Sequence, residues 1–246
     1  MLILCSIIFM IMFLANPFLV SVELATVSPL ARRIRIYERT TVMALAVSIK
    51  LFADPYSHTF PHERLAAAVM SIAAELAEMI ERRHATGEFP RNSFGMVVLD
   101  PTAPNWKPSS ECILATVAIG PEGEDFLVNG LAKAMEHRDH GTNCGTLVYV
   151  QPQRLTDGDF CYGFSVNLEG TIVGGSAQTE AQDAMLCTIF AAELNYRIAA
   201  AKKAWRTENP GNRWFCNVNE PSARYTDALA NLGAPLCDYS DRAATP

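Results

Sequence analysis

Between Arg64 and Arg83, large apolar side chains recur in steps of four and three: Leu65, Val69, Ile72, Leu76 and Met79, ending on Arg83 itself. Alanines fill much of the intervening space, while Glu75, Glu78, Glu81 and Arg82 are left for water, so the spacing predicts an amphipathic helix. Pro61 suits its first turn, where a missing N–H is harmless, and Gly87 and Pro90 stop it. A longer stripe, Leu186, Phe190, Leu194, Ile198, Ala201 and Trp205, predicts a second helix. Ahead of it, Thr179-Glu-Ala-Gln182 has the form of a capping box, in which the Thr179 side chain accepts from the Gln182 N–H and the Gln182 side chain reaches back to the Thr179 N–H. A shorter helix is expected to run from the acidic segment 121–125 to about His137, packing through Leu127, Leu131, Ala134 and Met135, with Gly130 lowering its intrinsic stability and His140 beyond its end.

Between these helices, β-rich runs fall at 93–100, 111–120, 146–150, 161–167 and 171–174. Asn167-Leu-Glu-Gly170 predicts a tight connection between the last two, with Gly170 free to take positive φ. The order is helix, two strands, helix, three strands, helix. Strand–helix–strand crossovers are too few for a doubly wound sheet, so the expected class is α/β, a single domain with a mostly antiparallel sheet of about five strands covered by helices. That domain spans residues 60–205. Residues 206–246, with Pro210, Gly211, Pro221, Gly233 and Pro235, predict an irregular tail.

Residues 1–42 change the picture only by adding alternatives. Residues 1–22 are almost continuously apolar, long enough for a membrane span or secretory signal, yet no Lys or Arg precedes them. The first basic cluster is Arg32-Arg33-Ile34-Arg35, on the far side of the run, which favours a span whose C-terminal side is cytoplasmic. Met43 also begins a sequence suited to a soluble start, which would make 1–42 a spurious extension; a buried helix is the third reading. The protein is cytoplasmic if translation starts at Met43, and otherwise exported or membrane-anchored through residues 1–22.

Half of the 246 residues are apolar, enough for a sizeable core, and the formal net charge is −6. Four arginines lie in the first 43 residues, leaving 16 basic against 24 acidic residues in the remainder. Such a surface repels phosphate backbones on average, so a nucleic-acid partner is not expected. The seven cysteines show no C-x-x-C spacing and are far too sparse for a disulfide scaffold. Cys216 and Cys237 can staple the tail in an oxidising compartment, and Cys187, beside the buried stripe, is expected to be packed.

Three constellations carry candidate chemistry. His137 and His140 flank Arg138 and Asp139; imidazoles at this spacing are candidate haem or transition-metal ligands, whereas His near a helix C-terminus is also favoured by the helix dipole alone. His58 and His62 sit four apart, but Pro61 between them opposes a helical metal pair. Cys144, between Asn143 and Gly145, is a weak candidate nucleophile with His140 close in sequence; a structural thiol is the plainer reading. The run Gly174-Gly-Ser-Ala-Gln-Thr-Glu180 leads into a helix N-terminus, where Ser176, Thr179 and unpaired N–H groups can receive a carboxylate or phosphate, or can serve as turn and cap only. No P-loop, G-x-G-x-x-G or G-x-S-x-G pattern is present.

Val97-Val98-Leu99-Asp100, Ala132-Lys133-Ala134 and Ser176-Ala-Gln-Thr-Glu-Ala-Gln-Asp183 occur in an order that resembles the GlcG/HbpS-like family, also described as haem-degrading or cobalamin-adenosyltransferase C-terminal-domain-like. The resemblance covers roughly residues 62–200, with three departures. Ala177 replaces the family's usual glycine, the segment from Gly170 to Ser176 is shorter, and Pro101-Thr-Ala-Pro follows Asp100 in place of a short glycine turn. It implies a GlcG-like fold and a homo-oligomeric binding domain for haem, a corrinoid or another small acidic cofactor, without established turnover. In that setting Lys133 would pair with a propionate, His137 or His140 would be the axial donor, and Ser176 and Thr179 would supply polar hydrogen bonds. The other classes are a thiol-dependent hydrolase or redox enzyme using Cys144, and a structural or interaction protein. Homo-oligomerisation is also expected from sheet edges that need cover and from Ala184, Ala191, Ala192, Ala199, Ala200 and Ala201 on the last long helix, several of them off its main stripe.

Overall fold

The computed structural model describes residues 45–215 and 220–231; the apolar segment 1–22, Met43, Cys216 and Cys237 lie outside them. Five strands, β1 (Val47–Leu51), β2 (Phe94–Leu99), β3 (Ile113–Ile119), β4 (Ser165–Leu168) and β5 (Thr171–Ser176), form one sheet in the order β1-β3-β2-β5-β4. Every neighbouring pair is antiparallel. Helices α1 (His62–Ala85) and α3 (Glu180–Glu208) cover one face, α2 (Leu127–His140) covers the other, and α4 (Ala223–Asn231) lies in the tail.

The main core lies between the sheet and the α1–α3 pair, with Leu65, Val69, Ile72, Leu76 and Ile80 from α1 meeting Leu186, Phe190, Leu194 and Ile198 from α3. Met79, expected on the α1 stripe, is only half-buried; Ile80 takes its place. Trp205 likewise leaves the α3 stripe and packs its ring 5.0 Å from Phe215. Central β2 is buried at every position because both of its faces are covered. On the second face, α2 lies almost directly on the strands. A Cβ at Gly174 would sit 2.2 Å from the Gly130 carbonyl oxygen, and one at Gly130 would sit 2.9 Å from the Gly174 carbonyl oxygen. The glycine that weakens the isolated helix is thus what lets it dock.

Two strand expectations are corrected. Residues 146–150 form a π-helical turn, with Gln151 N–H donating to Thr146 O at 2.8 Å. The Asn143 side chain starts that turn by accepting from Gly145 N–H at 2.7 Å, and only Leu147 is buried, so local hydrogen bonding overrides a β-branched sequence. The run 161–167 becomes strand only at Ser165, because Phe164 holds φ 69°, which an extended chain cannot contain. The fifth strand is instead β1, half-exposed on the edge and paired from Val47↔Ile119 to Leu51↔Ala115. The β4–β5 connection is as expected: Glu169 and Gly170 both take positive φ, and Gly170 N–H donates to the Asn167 side chain at 3.0 Å. His140 is the last residue of α2, not beyond it; Gly141, at φ 66°, closes the helix. The tail, expected to be irregular, contains α4.

Candidate functional site

The innermost stripe of α2 is Gly130, Lys133, Ala134 and His137, with Glu136 beside it, so three polar side chains enter the space between the helix and β4–β5. Lys133 is 1% exposed and its ammonium donates to Asp183 Oδ2 at 3.0 Å and to the Gly175 carbonyl at 3.0 Å. Asp183 belongs to the first turn of α3, on the opposite side of the sheet, so this ion pair ties the two helical layers together past the end of β5. Its other oxygen, Oδ1, accepts from Gln178 N–H at 2.9 Å. Burial pushes the Asp183 carboxyl up to about 6, against the pull of the Lys133 ammonium and the Gln178 N–H.

Asp183 also resolves what the turn before α3 does. The negative group that a helix N-terminus attracts is here a carboxylate of the same chain. Thr179 is the N-cap and its N–H donates to Gln182 Oε1 at 3.2 Å, completing the capping box. The Gln178 side chain donates to the carbonyls of Arg91 at 3.0 Å and Ser93 at 2.8 Å, stitching the turn to the segment before β2. Ser176, half-buried, is the last residue of β5 and pairs with Gly95.

One turn along α2, His137 Nδ1 lies 2.7 Å from the Ser165 hydroxyl, and Cys144 Sγ, from the segment after the helix, lies 3.4 Å from the same oxygen. The thiol can donate to the hydroxyl, and the hydroxyl to Nδ1, when His137 is neutral with its proton on Nε2. Burial lowers the His137 pKa and raises that of Cys144, so both neutral forms are favoured. Cys144 has no exposed surface, and in this position it is a packed thiol, not an activated one. Glu136 accepts from Phe160 N–H, and burial, its largest influence, raises its pKa. His140, three residues on from His137, is half-exposed and its carbonyl accepts from Arg154 at 3.1 Å.

The predicted ligand set therefore divides. His137, Lys133 and Cys144 face inward onto partners of their own chain, Thr179 is spent on the helix cap, and His140 does not join His137 on Ser165. Among the described residues, no group of three or more His, Cys, Asp and Glu is placed to hold a metal ion. The imidazole and the ammonium expected to meet a haem, those of His137 and Lys133, are here buried and engaged with Ser165 and Asp183. Asp183 and Ser165 were the residues missed. Asp183 carried a readable signal, because an acid three residues ahead of Leu186 extends the buried stripe of α3 and so needs an internal cation.

Elsewhere, α1 and α3 leave an open groove of about 470 Å³ on their outer side. Ile72, Leu76 and Met79 line it from one helix and Ile189, Ala192 and Tyr196 from the other, together with Glu75 and Glu193. Both carboxylates pair with Arg197, at 3.2 and 3.0 Å. Tyr196 is 69% exposed. No protein-family model, no curated protein and no solved structure matches the chain.

Proposed function

We propose that the chain works as a binding domain without turnover of its own, and that it binds through the apolar groove between α1 and α3. The observation that carries this reading is the placement of the two kinds of surface. The ammonium, imidazole and thiol of the seam are engaged inside the protein, although Glu136 Oε2 is buried without a partner among the described residues, whereas the groove exposes a tyrosine ring beside aliphatic walls and a pair of carboxylates that share one arginine. Its volume of about 470 Å³ lies within the range of small-ligand sites, and its walls are mostly apolar as such sites are. Nile red, a neutral dye that brightens in apolar surroundings, tests it on dilute full-length protein. Emission should rise on mixing and fall in Ala192→Glu and Tyr196→Lys variants that keep their circular dichroism. Emission indifferent to both substitutions sinks the reading.

A GlcG-like domain for haem or a corrinoid is the second reading, and two observations favour that kinship. Lys133 of the A-K-A segment and Asp183 of the final turn, far apart in sequence, meet as a buried pair. Ala177, where the family has glycine, holds φ 137°, a conformation that glycine adopts freely and alanine does not. A ligand at this seam would require His137 to leave Ser165 and Lys133 to leave Asp183, which ranks it second. It predicts a Soret shift when the full chain is titrated with hemin, lost in a His137→Ala plus His140→Ala variant; an unchanged spectrum of the parent protein removes its haem version.

A further inference from the structure

Among the described residues, the charged side chains lining the groove between α1 and α3 are Glu75 and Glu193, both carboxylates. A single guanidinium serves the pair. Arg197 donates from Nε to Glu193 Oε1 at 3.0 Å and from Nη2 to Glu75 Oε1 at 3.2 Å, which gathers the two acids on one arginine. Ser71 donates to the same oxygen of Glu75 at 3.3 Å. Among the described residues, nothing donates to the second oxygen, Oε2, of either acid. Two carboxylates against one guanidinium leave a formal negative charge. The acid side chains are also the more exposed, at 64% and 38% against 25% for Arg197, so an incoming molecule meets more carboxylate than guanidinium.

We propose that the ligand of this groove is a primary alkylammonium, an amine with an apolar body, its ammonium held at Glu75 and Glu193 and its body along the walls of α1 and α3. This rests on the groove being a binding surface and names the chemical class that fills it. Each part of such a ligand answers a part of the groove. A primary ammonium carries N–H donors and no acceptor, which suits carboxylate oxygens still open to a donor. Tyr196, one turn from Glu193 and 69% exposed, supplies an aromatic ring beside the same positive charge. Leu76, Met79 and Ile189 give a hydrocarbon tail apolar surface to cover. A carboxylate or phosphate ligand would set its charge against both acids, because Arg197 is already divided between them. A bare metal ion would leave the aliphatic walls unused, and among the described residues no third His, Cys, Asp or Glu completes a ligand set.

The test is calorimetric titration of the full-length protein at low salt with eight-carbon probes that differ in their heads: octylammonium, octyltrimethylammonium, octanoate and 1-octanol. Octylammonium should bind at least about tenfold more tightly than octanoate, since an exposed attraction replaces a repulsion of like size. It should also exceed octyltrimethylammonium, which carries the charge without N–H donors. In Glu75→Gln plus Glu193→Gln, with unchanged circular dichroism, the preference should disappear or turn toward octanoate, because Arg197 is then released from both acids. Octanoate or 1-octanol binding as tightly as octylammonium overturns the proposal, as does parity with the quaternary probe. A preference for octylammonium that survives the double variant overturns it too, because the amine would then be responding to the acidic surface at large. If Nile red still responds to Ala192→Glu and Tyr196→Lys while octylammonium shows no preference, the groove is a binding surface and the amine is not its ligand. If neither response is seen, the binding-surface reading falls as well.

Discussion

The seam beneath α2 and the groove between α1 and α3 are opposites in composition and in access. Lys133, Asp183, His137, Ser165 and Cys144 are residues that invite a catalytic reading, yet each is buried and answered by a neighbour in the same chain. Ile72, Met79, Ala192 and Tyr196 invite none, yet they form an open recess. Reactive residue types alone are therefore a poor guide to which side chains of this molecule are accessible. What separates the regions is whether a group's hydrogen-bonding and packing needs are met internally.

The sharpest way to break the comparison is to cut one partner from the seam and one from the groove. Lys133→Ala leaves a buried carboxylate with no cation and should lower stability by about 3–5 kcal/mol, read from chemical denaturation. Tyr196→Ala removes an exposed ring and should change monomer stability by no more than about 0.5 kcal/mol. A Lys133→Met plus Asp183→Leu double variant should recover much of the first loss; failure to do so would mean that the Gln178 N–H, which then loses its acceptor, matters more than the pair.

The docking of α2 is the next largest expectation. Gly174→Ala drives a methyl into the Gly130 carbonyl and the Ala134 N–H, and the helix must lift. Stability should fall by about 1–3 kcal/mol, the range for overpacked cores, with faster hydrogen exchange confined to α2 and its contacts. In the opposite direction, Ala177→Gly relieves a positive φ and should raise the melting temperature, by an amount corresponding to about 1 kcal/mol. A loss on that substitution would show that the Ala177 methyl, 7% exposed, contributes more by packing than it costs in strain.

The smallest expected effect is a dependence on pH. Burial depresses the His137 pKa, so its contribution is present above the unfolded value of about 6.5 and is lost as pH falls through the folded one. The raised pKa values of Asp183 and Glu136 act in the opposite sense, so the parent curve alone is a sum of opposed trends. The stability difference between the parent and His137→Asn isolates the histidine, and it should shrink steadily as pH is lowered from above neutrality. A difference independent of pH would place His137 in contact with water.

Much of the fold was legible because its helices obey a 3.6-residue period and end where capping chemistry says they should: the stripes of α1 and α3, the Thr179–Gln182 box and the Glu169–Gly170 turn all follow local rules. The strand reading erred where a local turn overrides strand composition and where a strand lies half-exposed at the sheet edge. Thr-Leu-Val-Tyr-Val at 146–150 has the composition of a strand, but it follows an Asn143 turn and forms a π-helical turn. β1 went unread because a half-exposed edge strand has a weak apolar signature. At the seam, Lys133 and His137 were singled out for their chemistry, while their partners, Asp183 and Ser165, come from elements 50 and 28 residues away, a pairing that no local pattern reveals. The groove was hidden for a different reason: its residues are what remains when two legible stripes are satisfied, and only the angle at which the helices pack decides whether that remainder is flat or concave.

The contrast between a closed seam and an accessible surface can be read most directly from thiol labelling of the folded, full-length protein. Cys161 is exposed, whereas Cys144 and Cys187 are buried, and burial raises the pKa of both buried thiols. With iodoacetamide under native conditions, followed by peptide mass spectrometry, Cys161 should be modified at the rate of an ordinary free thiol. Cys144 and Cys187 should react only at the rate at which the protein unfolds. Modification of Cys144 in the native state as fast as Cys161 would contradict the account, showing that the seam opens to solvent and that its histidine, serine and thiol are available for chemistry after all.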